Sequence, residues 1–270
     1  MPKLPSSLTA KAAGAVRILV IIATLGAAVT SPDTARAQGM YSGSSVVLDA
    51  FSVGGTQVTV ERYEPAAFGQ AFCGLRPAVI ILHGADGLAQ HGRSYREAAM
   101  ALAQAGYSAY IVHYFDVTPG VAARGSVQPS AIQGPNFAAW LAAVSASIQW
   151  AACQPGVDPC RIGLMGFSLG SYLALAEAAR NPQVSAVVDF FGGLPPEASS
   201  MVRRLPPTLI IHGEADQVVP VTEAFRLRDI LVSRGAPYSL VIYPDAGHKL
   251  PERFRQDAAQ RVLRFLSSYL

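Results

Sequence analysis

The sequence predicts an α/β fold: a doubly wound, mostly parallel, eight-stranded sheet flanked by helices. Three observations carry that prediction. Short apolar runs alternate with longer stretches of helical periodicity along most of the chain, which implies crossover connections and parallel strands. Residues 78–82 (Ala-Val-Ile-Ile-Leu) form a continuous apolar run, as a strand covered on both faces requires. No linker, repeat or low-complexity stretch divides the 270 residues, so a single folded domain is expected.

The elements follow in order. Residues 45–51 and 56–63 alternate around Gly54-Gly55 and read as an opening antiparallel hairpin. Residues 78–83 are the first buried strand, and a helix over 95–105 stops at Gly106, a residue suited to a C-terminal cap. Residues 107–113 form the next strand. The helix at 137–152 carries Trp140, Leu141, Val144, Ile148 and Ala151 at three- and four-residue spacing. A strand at 161–166 and an Ala/Leu-rich helix at 169–180 come next. Strands at 184–191, 208–212 and 238–243 follow, with helices at 221–234 and 252–269 around the last. The longest irregular segments are 114–135 and 192–207.

The first 37 residues read as an address. Lys3, Lys11 and Arg17 precede an uncharged apolar run over 18–29, then Pro32 and Ala35-Arg36-Ala37, with small residues where a signal peptidase reads. Cleavage is expected between Ala37 and Gln38, leaving an exported, periplasmic or secreted chain over 38–270. A run of twelve apolar residues is short of the roughly 20 a spanning helix needs. A lipid anchor would need a Cys at the cleavage site, and the first Cys is Cys73.

Removing this leader changes the charge balance. The whole chain has 21 Lys+Arg against 18 Asp+Glu; without four cationic residues and Asp33 it has 17 of each. The basic excess that would favour nucleic acid therefore lies in the leader. Hydrophobic residues at 51% and charged residues at 14% exclude a disordered chain.

Cys73, Cys153 and Cys160 permit one disulfide and one thiol. Cys153 and Cys160 flank a short loop and can meet; Cys73 with Cys160 is an alternative, since both precede strands that could be neighbours. There is no Cys-x-x-Cys pair and the histidines are dispersed, so no metal site is expected.

The chemistry concentrates in three loops. Gly166-Phe167-Ser168-Leu169-Gly170 follows an apolar strand and opens a helix, the setting of a nucleophile elbow. Glycines are needed there because side chains at 166 and 170 would collide with neighbouring backbone, and the helix N-terminus favours developing negative charge. A serine hydroxyl needs a base, and the base an orienting carboxylate. Asp216 lies just past one later strand and His248 just past the last, in the chain order Ser, acid, His that this architecture requires. Ser168, Asp216 and His248 are the candidate catalytic residues.

Glu214 shares the loop of Asp216 as a competing acid, and Asp245 is too close to His248 on one tight turn to face it well. Asp189 reads as a buried or strand-end carboxylate, His212 and His113 as structural hydrogen-bonding residues, and His91 as an exposed loop residue. Two backbone N–H groups should form an oxyanion hole: that of Leu169, and that of Ala85 in the loop 83–88. His83 is expected to brace that loop. Asp86 is expected to point away from the developing charge or to bind a substrate hydroxyl. The short 192–207 connection leaves little room for a lid, so an open cleft is expected, partly walled by 114–135, with Tyr114 and Phe115 as substrate contacts.

Taken together these motifs resemble the α/β-hydrolase superfamily, most closely the dienelactone hydrolase family. The resemblance spans residue 76 to the C-terminus. It rests on His83-x-x-x-Gly87-Leu88, the elbow, His212-Gly-x-x-Asp216-x-x-Val-Pro220 and Ala246-Gly-His248. It implies hydrolysis of an ester or lactone through an acyl-enzyme, without metal or organic cofactor. Type members carry Cys in the elbow, Glu directly after the first loop His, and an arginine four residues after the catalytic His. Here those positions are Ser168, Gly84 and Glu252, which implies a plain Ser–His–Asp mechanism and a neutral ester as substrate. A peptidase or acyltransferase on the same triad, or a silent binding protein, are the other readings.

Overall fold

The computed structural model describes residues 46–65, 74–122, 134–202 and 204–270, all within one compact unit. The leader, Cys73 and residues 123–133 lie outside the described residues. Two strands, β1 (Val46–Val53) and β2 (Thr56–Tyr63), make the opening hairpin. Gly54 and Gly55 both have positive φ, 55° and 85°, the conformation a two-residue hairpin turn demands. Then come β3 (Arg76–Leu82), α1 (Gly92–Gln104) and β4 (Ser108–Val112). A 3-10 turn at Tyr114–Val117 and the short α2 (Pro119–Ala122) follow, so the expected irregular stretch begins as tight helical turns.

The second half contains α3 (Phe137–Ala152), β5 (Val157–Phe167), α4 (Leu169–Ala178), β6 (Val184–Phe190) and α5 (Pro196–Met201). It ends with β7 (Thr208–Gly213), α6 (Thr222–Ser233), β8 (Tyr238–Tyr243) and α7 (Glu252–Tyr269). The eight strands lie in the order β1-β2-β4-β3-β5-β6-β7-β8. β1, β2 and β4 pair antiparallel in turn, and every pairing from β4 to β8 is parallel.

Side chains alternate across the sheet because successive residues of a strand point to opposite faces. Ala78, Ile80 and Leu82 join the layer that contains Trp140 and Val144 of α3, Leu173 of α4 and Leu227 of α6. Val79 and Ile81 face the other layer, with Leu102 of α1 and Val262 and Phe265 of α7. Burying each such aliphatic chain is worth roughly 1.5–3 kcal/mol, and β3, covered on both faces, anchors both layers.

Some boundaries moved. β5 starts at Val157, four residues before the expected start. Its pairing to β3 jumps from Arg76↔Val157 to Ala78↔Ile162, and the skipped stretch holds Pro159, which has no N–H to give a ladder. Cys153 ends α3 and Cys160 lies in that skipped stretch; both are exposed thiols not joined to each other, so the first expected pairing is absent. α5 sits inside the expected loop 192–207.

A polar cluster ties β2 to α1 and the end of β4. Glu61 accepts from Arg96 Nη2 at 2.6 Å, Arg96 Nε at 2.8 Å and the Tyr63 hydroxyl at 2.9 Å, and lies 3.1 Å from His113 Nε2. Burial alone would raise this carboxyl, but hydrogen bonds from His113, Arg96 and Tyr63 outweigh it and hold it at about 2, against an ordinary 4.5.

Two outcomes follow from this packing. A carboxyl held low in the folded state stabilises above the unfolded value and loses that contribution as pH falls through the folded value. Glu61→Gln should therefore cost on the order of 3 kcal/mol at pH 7, and urea unfolding should show the gap to wild type closing between pH 4.5 and 2. A Cβ at Gly170 would lie 2.2 Å from the Leu82 carbonyl oxygen, whereas at Gly106 nothing lies within 4 Å and only its φ of 97° resists substitution. Gly170→Ala should lower stability by about 3 kcal/mol and Gly106→Ala by about 1 kcal/mol, read from the unfolding midpoints.

Candidate active site

Four post-strand loops meet at the carboxyl edge of the parallel strands, where ligands bind in open α/β sheets. The turn between β5 and α4 carries Ser168 at φ 52° and ψ −116°, a backbone conformation an L-residue holds only under constraint. The constraint is steric. A Cβ at Gly166 would lie 2.4 Å from the Gly170 carbonyl oxygen and the Ser171 backbone, and one at Gly170 would strike the Leu82 and His83 carbonyls. The Ser168 N–H is tied to the Phe190 carbonyl at 2.8 Å, so β6 also holds the turn.

The acid loop after β7 and the histidine turn after β8 are laced backbone to backbone. Glu214 N–H donates to the Tyr243 carbonyl at 3.0 Å and Ala215 N–H to the Ala246 carbonyl at 2.9 Å. Gly213 permits this approach, since its Cβ would be 2.3 Å from the Ala246 oxygen. The lacing brings Asp216 to His248. His248 Nδ1 lies 2.7 Å from Asp216 Oδ2, and His248 Nε2 lies 2.9 Å from Ser168 Oγ. With Nδ1 donating to the carboxylate, Nε2 is left to accept the serine proton.

Asp216 is buried and richly solvated by the protein. Its Oδ1 accepts the N–H groups of Val218 at 2.9 Å and Val219 at 3.0 Å, and His212 Nε2 stands 3.4 Å from Oδ2. Burial would make it a weaker acid; the donors His212, His248 and Val219 reverse this and hold its pKa well below the ordinary carboxylate range. Glu214 and Asp245, the competing acids, are both exposed. His248 remains about a quarter exposed, so a substrate can reach it.

The loop after β3 sits against the elbow because the first turn of α4 packs on the Leu82 and His83 carbonyls. Leu169 is the first residue of α4 and Ala85 lies on the facing loop; among the described residues no acceptor takes either N–H. His83 is fully buried, its Nδ1 2.8 Å from the Gly84 carbonyl, and burial pushes it down to about 4, so it stays neutral and braces the loop. Asp86 turns toward His91, with Oδ2 3.4 Å from Nε2, and so gives the half-exposed His91 a partner that the loop reading had not assigned.

Tyr114 and Phe115 take a different place from the expected cleft wall. Both are buried: the Tyr114 ring stacks on His83 at 4.0 Å and its hydroxyl donates to the His83 carbonyl at 2.7 Å. Phe115 packs edge-on against His83 at 4.8 Å and lies under Gly87. They carry the loop 83–88 from below rather than face solvent. Tyr95 of α1, absent from the sequence-based set, performs a matching role from the other layer by accepting the Gly84 N–H at 3.1 Å. Nothing local marks it, because the contact depends on how α1 docks. Asp189 is fully buried, with Oδ1 accepting the Gly192 N–H at 3.0 Å.

Among the described residues no helix is long and apolar enough to cross a membrane. Comparison with known proteins agrees with the fold. A protein of Methylorubrum extorquens, provisionally named a carboxymethylenebutenolidase, is 25% identical over 191 residues, covering 66% of this chain and 65% of its own length. The chain thus spans about two thirds of that relative and about half of similarly named enterobacterial ones. The solved dienelactone hydrolase of Anabaena variabilis superposes with a TM-score of 0.66 at 23% identity, covering 84% of this chain and 99% of that one. A dienelactone hydrolase-like promiscuous phosphotriesterase from metagenomic libraries gives 0.70 at 21%, with the same coverage. The family model for dienelactone hydrolases matches residues 69–269, most of the sequence, and the chain belongs to the dienelactone hydrolase family.

Proposed function

We propose that this chain is an exported serine hydrolase that cleaves a carboxylic ester or lactone through an acyl-enzyme. The observation that carries the reading is the continuous chain Ser168 Oγ–His248 Nε2, His248 Nδ1–Asp216 Oδ2, at 2.9 and 2.7 Å, on a strained elbow. The Ser168 oxygen attacks the ester carbonyl carbon while its proton passes to His248 Nε2. Asp216 holds the imidazole tautomer and stabilises the imidazolium that forms. The negative oxygen of the tetrahedral intermediate is received by the Ala85 and Leu169 N–H groups. His248 then returns the proton to the leaving alcohol, and a water, deprotonated by the same imidazole, releases the acid.

The relative provisionally named a carboxymethylenebutenolidase and the family match support ester or lactone chemistry; the residues support a neutral substrate. Glu252, where type members have an arginine, is exposed and paired with Arg255 at 2.6 Å. It offers no positive charge to a substrate carboxylate. Export rests on the leader, with its cationic start, apolar run and Ala35-Arg36-Ala37.

Ser168→Ala should abolish turnover of a short p-nitrophenyl ester and labelling by a fluorophosphonate while leaving the circular dichroism spectrum intact; retained turnover would overturn the assignment. Asp216→Asn should reduce kcat by roughly 10³–10⁴-fold, and Glu214→Asn should have little effect. For export, N-terminal sequencing of the protein recovered from the periplasm or medium should begin at Gln38, and retention of Met1 would refute it.

A further inference from the structure

Three described non-glycine residues have positive φ: Ser168 at 52°, and Asp245 and Phe191 each at 57°. Ser168 is the elbow residue. Asp245 lies in the short turn before His248, and aspartate enters the left-handed region more readily than most side chains. Phe191 has no such account. A bulky aromatic residue in that conformation is an outlier that only its surroundings can hold.

Those surroundings fix the chain on both sides of it. Phe190 ends β6; its N–H donates to Ser171 Oγ at 3.0 Å and its carbonyl accepts the Ser168 N–H at 2.8 Å. The Phe191 N–H donates to the Ile211 carbonyl of β7 at 3.0 Å. Beyond it, the Gly192 N–H donates to Oδ1 of the buried Asp189 at 3.0 Å, and a Cβ at Gly192 would lie 2.2 Å from Ser171 Cβ. The chain must therefore turn within one residue, and that residue is Phe191. A glycine would make this turn without strain, so the benzyl side chain needs a reason of its own.

The reason lies in where the turn sends the ring. The Phe191 ring centroid is 5.5 Å from that of His248, with the planes 52° apart, within the range of an aromatic pair. It also stands 6.0 Å from the Phe190 ring and meets His212 edge-on at 6.0 Å. Phe191 is buried, whereas His248 is about a quarter exposed.

The polar contacts of His248 leave one freedom open. Its two ring nitrogens are held by Asp216 Oδ2 at 2.7 Å and by Ser168 Oγ at 2.9 Å. Two such contacts fix the line between the nitrogens but resist a tilt of the ring about that line only weakly. An aromatic ring packed against the imidazole resists it sterically. A tilted imidazole would misaim Nε2 at the serine proton, which slows the chemical step without weakening substrate binding.

We propose that Phe191 is a positioning residue: the strained turn after β6 packs its ring against His248, fixing the tilt of the imidazole between Asp216 and Ser168 and keeping water from the Asp216–His248 hydrogen bond. The inference deepens the esterase reading, on which its kinetic part rests.

The test compares Phe191→Leu and Phe191→Met, which lack a ring, with Phe191→Tyr, which keeps one. All three retain a side chain at the same positive φ, so differences among them report the ring alone. On a short p-nitrophenyl ester the ringless variants should lose kcat by roughly 10–100-fold with KM within about threefold of wild type, and Phe191→Tyr should restore kcat. A second readout needs no turnover. The far-downfield proton resonance of the Asp216–His248 hydrogen bond, assigned by its loss in His248→Gln, should be present in the wild type and Phe191→Tyr. It should broaden away by exchange with water in the ringless variants. A packing role alone would lower the unfolding midpoint and leave both kcat and the resonance unchanged, and that result overturns the inference. So does absence of the resonance from the wild type, or failure of both ringless variants to fold. Should the wild type turn over no ester, the esterase reading falls, and the resonance still decides the role of the ring.

Discussion

The close approach of α4 to the ends of β3 and β5 governs the rest of this molecule. At Gly170 the helix backbone is so near the Leu82 and His83 carbonyls that a methyl group would sit 2.2–2.5 Å from them. This contact aims the first turn of α4 back at the sheet edge and forces Ser168 to φ 52°. It also seats the loop 83–88 beside the serine, because the carbonyls touched by Gly170 are the first atoms of that loop. One steric fact thus orients the Ser168 side chain, brings in a facing N–H and places a helix N-terminus beside it, as the proposed mechanism requires.

The second requirement is met by hydrogen bonding rather than sterics. Asp216 and His248 are 32 residues apart, and α6 and β8 lie between them. Their loops meet because the Glu214 and Ala215 N–H groups reach the backbone carbonyls of the histidine turn, an approach open only to glycine at 213. The carboxylate is then saturated by backbone and imidazole donors, which lock its plane. A carboxylate with that many donors cannot swing, and the imidazole it holds keeps one tautomer.

Much of this arrangement is legible in the chain. Glycines flanking Ser168, and Asp216 and His248 after successive later strands, are local patterns whose meaning follows from sheet geometry. Glu214 loses to Asp216 because it stays exposed on the loop. What escaped notice depends on docking between distant segments. Tyr95 reaches the Gly84 N–H only because α1 lies across β3, and no periodicity in α1 announces it. Tyr114 and Phe115 follow a strand and look like loop residues, yet the tight turn at Tyr114–Val117 folds them inward. That turn is tied down through Thr118, whose Oγ1 takes the Trp140 indole N–H at 2.7 Å. β5 runs longer than its apolar run because ladder pairing tolerates Pro159 at a register break.

The loop after β3 also bears on the substrate of the proposed esterase. Family type members carry Glu after the loop histidine; here a Cβ at Gly84 would sit tightly against Asp86 Oδ1 at 3.2 Å and in ordinary contact with the Tyr95 hydroxyl at 3.4 Å. Asp86 thus occupies space beside the position a glutamate would use, and its partner is His91 rather than Ser168. A carboxylate on this loop, with Glu252 where an arginine would sit, would oppose an anionic substrate of the proposed esterase by like-charge repulsion. The polar groups of the loop are committed to the loop itself, through His83, Tyr95 and Tyr114. Selectivity then falls to shape and apolar contact around the serine, where Phe191 stands 5.5 Å from the His248 ring. The proposal of a neutral ester as substrate follows from those conditions.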